Sequence, residues 1–221
     1  MSRIDPLLTN STQVFDFENP AVLKFIKDSG CYVEPNIAKA VEKLHDEVRD
    51  TIDYNVFNVS LHPGLTASEV ISESSGFCLH KSVLFVACCR KLGVPALLCS
   101  DVVTNHVADA AMLELVGGEE FLHWYARIYL NGRWIKAAPI FNSLLCMIYG
   151  IDVLRFNPDG DSIEQRNGRS SKMIYSGQQH SYPNPSMEEL IQVIRDKHPR
   201  MVSDTGRTPA SHTLTGTKIA N

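Results

Sequence analysis

An α+β fold is expected from three features of the 221-residue sequence. Before Pro95 the apolar residues recur at helical spacing. The segment from Cys78 to Leu92 is apolar on nearly every side and stops at Gly93. After Pro95 the pattern changes to strands, two of them joined through Asn131-Gly132, a strong hairpin turn. A helix that is apolar all round has to be covered all round, so Cys78–Leu92 is expected as the central helix, packed against an antiparallel sheet.

The elements follow in chain order. Residues 1–20 are polar and read as an irregular lead-in. A short helix is expected from Ala21 to Asp28, stopped by Ser29-Gly30. Pro35 opens an amphipathic helix, with Ile37, Ala40, Val41, Leu44, Val48 and Ile52 on one face and Lys39, Glu42, Lys43, Glu47 and Arg49 on the other. A helical segment from Thr66 to Ile71 precedes the small-residue run Ser74-Ser75-Gly76. The central helix ends at Gly93, where glycine adopts a left-handed C-terminal conformation at least cost. Strands are expected over Ala96–Val103, His123–Leu130 and Arg133–Ala137, with a short helix from Ala108 to Val116 between the first two. Past Phe141-Asn142 the signals weaken until a last helix, Met187 to Lys197. One domain, residues 1–198, is expected, followed by a Ser/Thr/Gly/Pro-rich disordered tail over 199–221.

Composition narrows the function. Hydrophobic residues at 44% and charged residues at 21% are ordinary for a globular chain. A net charge of -4 supplies no basic surface for nucleic acid. No apolar run reaches the length of a membrane span, and Met1 to Pro6 do not read as a secretory leader, so a cytoplasmic protein with no membrane partner is expected. The six cysteines show no C-x-x-C pair and no zinc-site spacing, and no nucleotide, flavin or calcium motif is present. The expectation is an enzyme without cofactor or metal. Cys88 and Cys89 read as small core hydrophobes, and Trp124 and Trp134 as core aromatics. His180, His198 and His212 read as solvated.

One thiol is placed for chemistry. Cys78 falls in the first turn of the central helix, where free N–H groups and the positive end of the helix dipole favour thiolate. Lys81 stands one turn on. His123 begins a strand, and a base on a sheet facing a thiol at a helix start is the arrangement that nucleophilic acyl transfer requires. The helix-start N–H groups would stabilise the oxyanion, with Tyr54 as a further candidate donor and His80 as a candidate cleft residue. His106 is a weaker site candidate.

The run Gly76-Phe77-Cys78-Leu79-His80-Lys81-Ser82-Val83-Leu84, then Arg90-Lys91-Leu92-Gly93-Val94-Pro95-Ala96, resembles the transglutaminase-like superfamily. Its core pattern is G-x-C-x-x-K-A-x-L followed by R-x-x-G-(I/V)-P-A. Asp50 to Tyr54 and Thr66 to Val70 resemble the lead-in. His123-Trp124 and the Gly132-Arg133-Trp134-Ile135 hairpin resemble the histidine strand and its successor, so the likeness spans about residues 35–142. A narrower likeness to uncharacterised microbial members of this group runs on through Lys136–Asn142, Asp159–Ser162, Met173–Tyr175 and Tyr182–Pro185. The resemblance implies a papain-like core, Cys78 as nucleophile, His123 as general acid/base, a thioester intermediate, and a small-molecule or peptide acyl substrate.

One position departs from the family. Its third catalytic residue is an Asp in a W-x-x-x-D-P context, and here Ala138 occupies that place before Pro139. That group orients the imidazole and stabilises its charged form. Asn142, Asn105 and Asp101 are candidates to replace it. Two other functions fit the same residues: a Cys–His enzyme of small-molecule metabolism acting as cyclase, isomerase or lyase, and a binding protein on a lapsed enzyme fold.

Overall fold

The computed structural model describes residues 5–105, 110–167, 170–171 and 173–210. After a 3-10 turn at Pro6–Thr9, α1 spans Pro20–Asp28 and is capped by the Asn19 side chain, which accepts from the Ala21 N–H at 3.0 Å. A second 3-10 turn occupies Cys31–Val33. The amphipathic helix α2 spans Ile37–Thr51. It starts two residues after Pro35 because Asn36 caps it, accepting from the Lys39 N–H at 3.1 Å. Next come β1, Asp53–Tyr54, and α3, Ala67–Glu73, which begins with a reciprocal capping box between Thr66 and Glu69. β2, Ser75–Gly76, pairs with β1 in parallel and leads into α4, Cys78–Lys91.

α4 is the expected central helix. Every residue from Cys78 to Arg90 is buried, so polar members of the run need internal partners. Arg90 finds them in the carbonyls of Ala96 and Asn10 and the Asn184 amide, with Phe15 under its guanidinium at 4.5 Å. Cys88 and Cys89 are core.

The sheet is built by β3, Ala96–Asn105; β4, Glu120–Leu130; and β5, Arg133–Ala137, with α5, Ala110–Val116, between the first two. α6, Ser143–Tyr149, follows β5. Four short strands come next: β6, Arg166–Asn167; β7, Ser170–Ser171; β8, Met173–Tyr175; and β9, His180–Tyr182. The order is β5-β4-β3-β8, with β9 also pairing β3, and every pairing is antiparallel. α7, Met187–Lys197, and a 3-10 turn at Pro199–Met201 complete the described elements. The architecture is α+β, a central helix on an antiparallel sheet. No described helix is long and apolar enough to cross a membrane.

Four expectations are corrected. β4 begins at Glu120 rather than His123, because Phe121 and Leu122 are already paired with Val103 and Val102. α6 was not anticipated, and Leu144, Met147 and Ile148 on it are exposed, which hides its helical pattern from any burial rule. Residues 199–210, expected as the start of a disordered tail, pack on the chain: Met201 and Thr208 are buried, and Thr208 exchanges hydrogen bonds with the Val59 backbone. Residues 211–221 of that expected tail, His212 included, lie outside the described residues. Finally, His198 is not solvated; it accepts the Leu122 N–H at 2.9 Å and donates to the Val116 carbonyl at 2.8 Å.

A helix ends with carbonyls that need donors, and the end of α2 takes them from two distant residues. Lys81 Nζ donates to the carbonyls of Arg49, at 2.7 Å, and Ile52. Asn142 Nδ2 donates to the carbonyls of Arg49, at 2.7 Å, Asp50 and Ile52, while its Oδ1 accepts from the Tyr54 N–H at 2.8 Å. Lys81 is fully buried, and burial pulls its ammonium down to about 7. Lys81→Met keeps the volume and removes the donors, so it should lower stability by about 2–3 kcal/mol, read from the urea midpoint at constant slope. An unchanged midpoint would mean that Asn142 alone satisfies these carbonyls.

Candidate active site

Phe77 stands in extended backbone just before α4, and Cys78 is the first helical residue. Gly76 is required beneath it, since a Cβ there would lie 2.5 Å from the Cβ of His80. The Cys78 Sγ accepts from the backbone N–H of Trp124 at 3.5 Å. The thiol therefore lies against β4 at the residue directly after His123.

The helix start was expected to favour thiolate. In the fold, Cys78 is 0% exposed, and burial pushes its thiol up to about 12, against the opposing pull of the Trp124, Leu79 and Cys78 backbone N–H groups. Loss of water outweighs the end of the helix. His123 is treated likewise. It is 1% exposed, burial holds its imidazole down to about 3, and its Nε2 has no hydrogen-bond partner among the described residues. At rest both groups are neutral.

Two of the sequence candidates lie beside these groups, Asp101 next to His123 and Tyr54 next to Cys78. Asp101 is the direct cross-strand partner of His123 on β3; it is buried and accepts from the Ser176 hydroxyl at 3.1 Å. Tyr54 packs on Phe141 with ring centroids 4.6 Å apart; burial first, and then negative charge at Cys78, raise its hydroxyl well above the usual value. Ala138, on the β5 side, is buried, and its N–H donates to the Ser162 carbonyl at 3.0 Å. The carboxylate in register with His123 thus comes from β3 rather than from the chain after β5.

Other candidates fall elsewhere. Asn142 does not reach His123, because its amide is spent on the α2 end and on Tyr54. His80 points away from the thiol, with Nε2 donating to the Ser60 carbonyl at 2.7 Å and its ring edge-on to Phe77 at 4.7 Å. Burial lowers its imidazole to about 4. Asn105 ends β3 opposite Met173, and its side chain, like the whole of His106, lies outside the described residues.

Two residues at the pair carried no site role in the sequence. Tyr125 stacks on His123 at 6.3 Å, and Tyr175 meets the same ring edge-on at 5.8 Å. The Tyr175 hydroxyl donates to the Ile163 carbonyl at 2.8 Å. Burial, then Tyr125 and Cys78, raise that hydroxyl well above the usual value. Strand alternation could have found Tyr125, two residues after His123. Tyr175 fell within the narrower family likeness with no role attached, and it arrives on β8 at the far end of β3. Trp124, expected as core, is buried against Tyr182. Among the described residues, no group of three or more His, Cys, Asp or Glu is placed to hold a metal ion.

Comparison with known proteins finds similarity at the level of family. The chain is similar to a solved structure from Cytophaga hutchinsonii described as a candidate cysteine protease, at 15% identity and a TM-score of 0.45 over 79% of this chain and 52% of that one. It is also similar to a structure described as a TGase, at 19% identity and a TM-score of 0.40 over 54% of this chain and 30% of that one. The chain thus spans about half or less of either structure's length. No curated protein sequence matches it. The family model for the transglutaminase-like superfamily matches residues 32–139, the stretch that holds Cys78, His123 and the position of Ala138. Residues 32–139 of this chain belong to the transglutaminase-like superfamily.

Proposed function

We propose that this protein catalyses thiol-dependent acyl transfer on an amide or related carbonyl, with Cys78 as nucleophile, His123 as general acid/base and Asp101 as the group that orients His123. The observation that carries the reading is the unpartnered, buried Nε2 of His123, one residue from the peptide N–H that holds the Cys78 thiol. A buried polar atom without a partner costs about 1–3 kcal/mol, and a proton acceptor is the role that such an atom serves.

Because both groups are neutral at rest, His123 acts as a general base. As Sγ attacks the carbonyl carbon, its proton passes to the imidazole, an S–C bond forms and negative charge moves to the carbonyl oxygen. Backbone N–H groups at the start of α4 and the Tyr54 hydroxyl are the donors for that oxyanion. Collapse breaks the C–N bond, and the amine leaves with the proton from His123. Water or a second amine then attacks the thioester, His123 takes its proton, and the proton returns to Sγ as the acyl group departs. Water as acceptor makes the enzyme a hydrolase; an amine makes it a transferase. Asp101 stabilises the imidazolium from the opposite neighbouring strand to the one its relatives use.

The test is the rate of Cys78 alkylation by iodoacetamide across pH 4 to 10, with the adduct located by mass spectrometry. Below about pH 8, His123→Ala and Asp101→Asn should each label at least roughly tenfold more slowly than wild type. Identical profiles in all three proteins would sink the assignment. A second reading, a binding protein on this fold, is favoured by the complete burial of Cys78 together with Ala138. It requires slow labelling, at high pH only, indifferent to His123.

A further inference from the structure

A cavity of about 510 Å³ opens beside Tyr175, walled by Lys136, Arg155, Asp161, Glu164 and Arg166 among others. Its charges are unequally committed. Asp161 accepts from the Lys136 backbone N–H at 2.8 Å, and Glu164 is paired with Arg166. The Lys136 ammonium and the Arg155 guanidinium have no carboxylate partner among the described residues. Among the described residues the cavity therefore presents two cations without a carboxylate partner, in a chain whose net charge is -4. Lys136 Nζ lies 5.4 Å from the centre of the Tyr125 ring, and Tyr125 stacks on His123. Tyr175 belongs both to the cavity wall and to the ring cluster around His123. A group held between Lys136 and Arg155 is one aromatic ring away from the imidazole.

We propose that this cavity is the subsite for an acyl substrate that carries a carboxylate, with Arg155 and Lys136 binding the anion and Tyr175 forming the partition from Cys78 and His123. Arg155 offers a planar fork of donors that matches a carboxylate, and Lys136 adds a point charge to the same lining. The volume suits a ligand of amino-acid to dipeptide size. The inference rests on the acyl-transfer reading for the substrate's role, but the binding itself does not involve the thiol.

The test is therefore binding rather than turnover. Calorimetry on the full chain compares N-acetylglutamate α-amide with N-acetylglutamine α-amide, which share a skeleton and differ in having one carboxylate or none. The acid should bind at least about tenfold more tightly, and Arg155→Gln or Lys136→Gln should each remove most of that difference. The preference should weaken in high salt and persist in Cys78→Ala. Equal affinities, no detectable binding of either compound, or a preference untouched by both substitutions would overturn the proposal. If the preference holds while Cys78 proves unreactive, the subsite stands and the nucleophile assignment falls; the reverse pattern removes the subsite alone.

Discussion

Replacing Tyr175 by alanine should speed iodoacetamide labelling of Cys78 at pH 7 by at least about tenfold. A thiol titrating near 12 is about one part in 100,000 thiolate at pH 7, whereas one near 8.5 is about three parts in a hundred. Water reaching Sγ through the gap left by the ring would recover part of that factor of roughly 3,000. Tyr175 is the residue to remove because it packs on His123, lies within the field of Cys78 and borders the cavity outside. Its strand, β8, holds to the sheet through three residue pairs at the far end of β3. Intact-mass kinetics with peptide mapping read the result. A rate equal to wild type would assign the cover over Cys78 to another element.

The urea midpoint should fall steeply as pH drops from about 6.5 to 4. Burial lowers the imidazoles of His80, to about 4, and His123, to about 3, and it also lowers those of His45 and His198. In each case the unfolded chain takes up a proton near 6.5 that the folded chain refuses. Below that pH the unfolded state binds more protons, so the histidines' contribution to stability is complete above about 6.5 and drains away as pH falls toward the folded values. Each pH unit in that window costs about 1.4 kcal/mol for every histidine that stays neutral. Asp46, Asp50 and Glu73, whose carboxyls are held low against burial by His45 and Arg49, by Arg49, and by Arg207 respectively, extend the same trend into more acid solution. A flat midpoint down to pH 5 would show that the histidines protonate inside the fold.

Where the proposed site's residues sit on elements defined locally in the chain, the sequence was enough to place those elements. α4, Cys78 and the β4–β5 hairpin follow from apolar periodicity, Gly93 and Asn131-Gly132, and each of these acts within a few residues. Asp101 shows the opposite case. It was one of three candidates, and only the pairing Asp101↔His123 singles it out, which depends on strand register across more than twenty positions. Asn142 looked equally suited, but its amide serves carbonyls some ninety residues upstream. The short strands β8 and β9 have their partners on β3, so their structure is a property of the finished sheet rather than of their own composition. The segment around Thr208 was likewise hidden, because its partner is Val59.

All six cysteines of the folded chain are free and buried: Cys31, Cys78, Cys88, Cys89, Cys99 and Cys146. The native molecule consequently presents oxidants with almost nothing to attack, whereas its denatured form presents six thiols at once. Heating in air should therefore be a one-way process, as mismatched disulfides trap chains that would otherwise refold. A reductant should restore reversibility. The number of alkylated cysteines per molecule also becomes a gauge of how far a chain has opened: one for a breach at Cys78, six for collapse of the whole core.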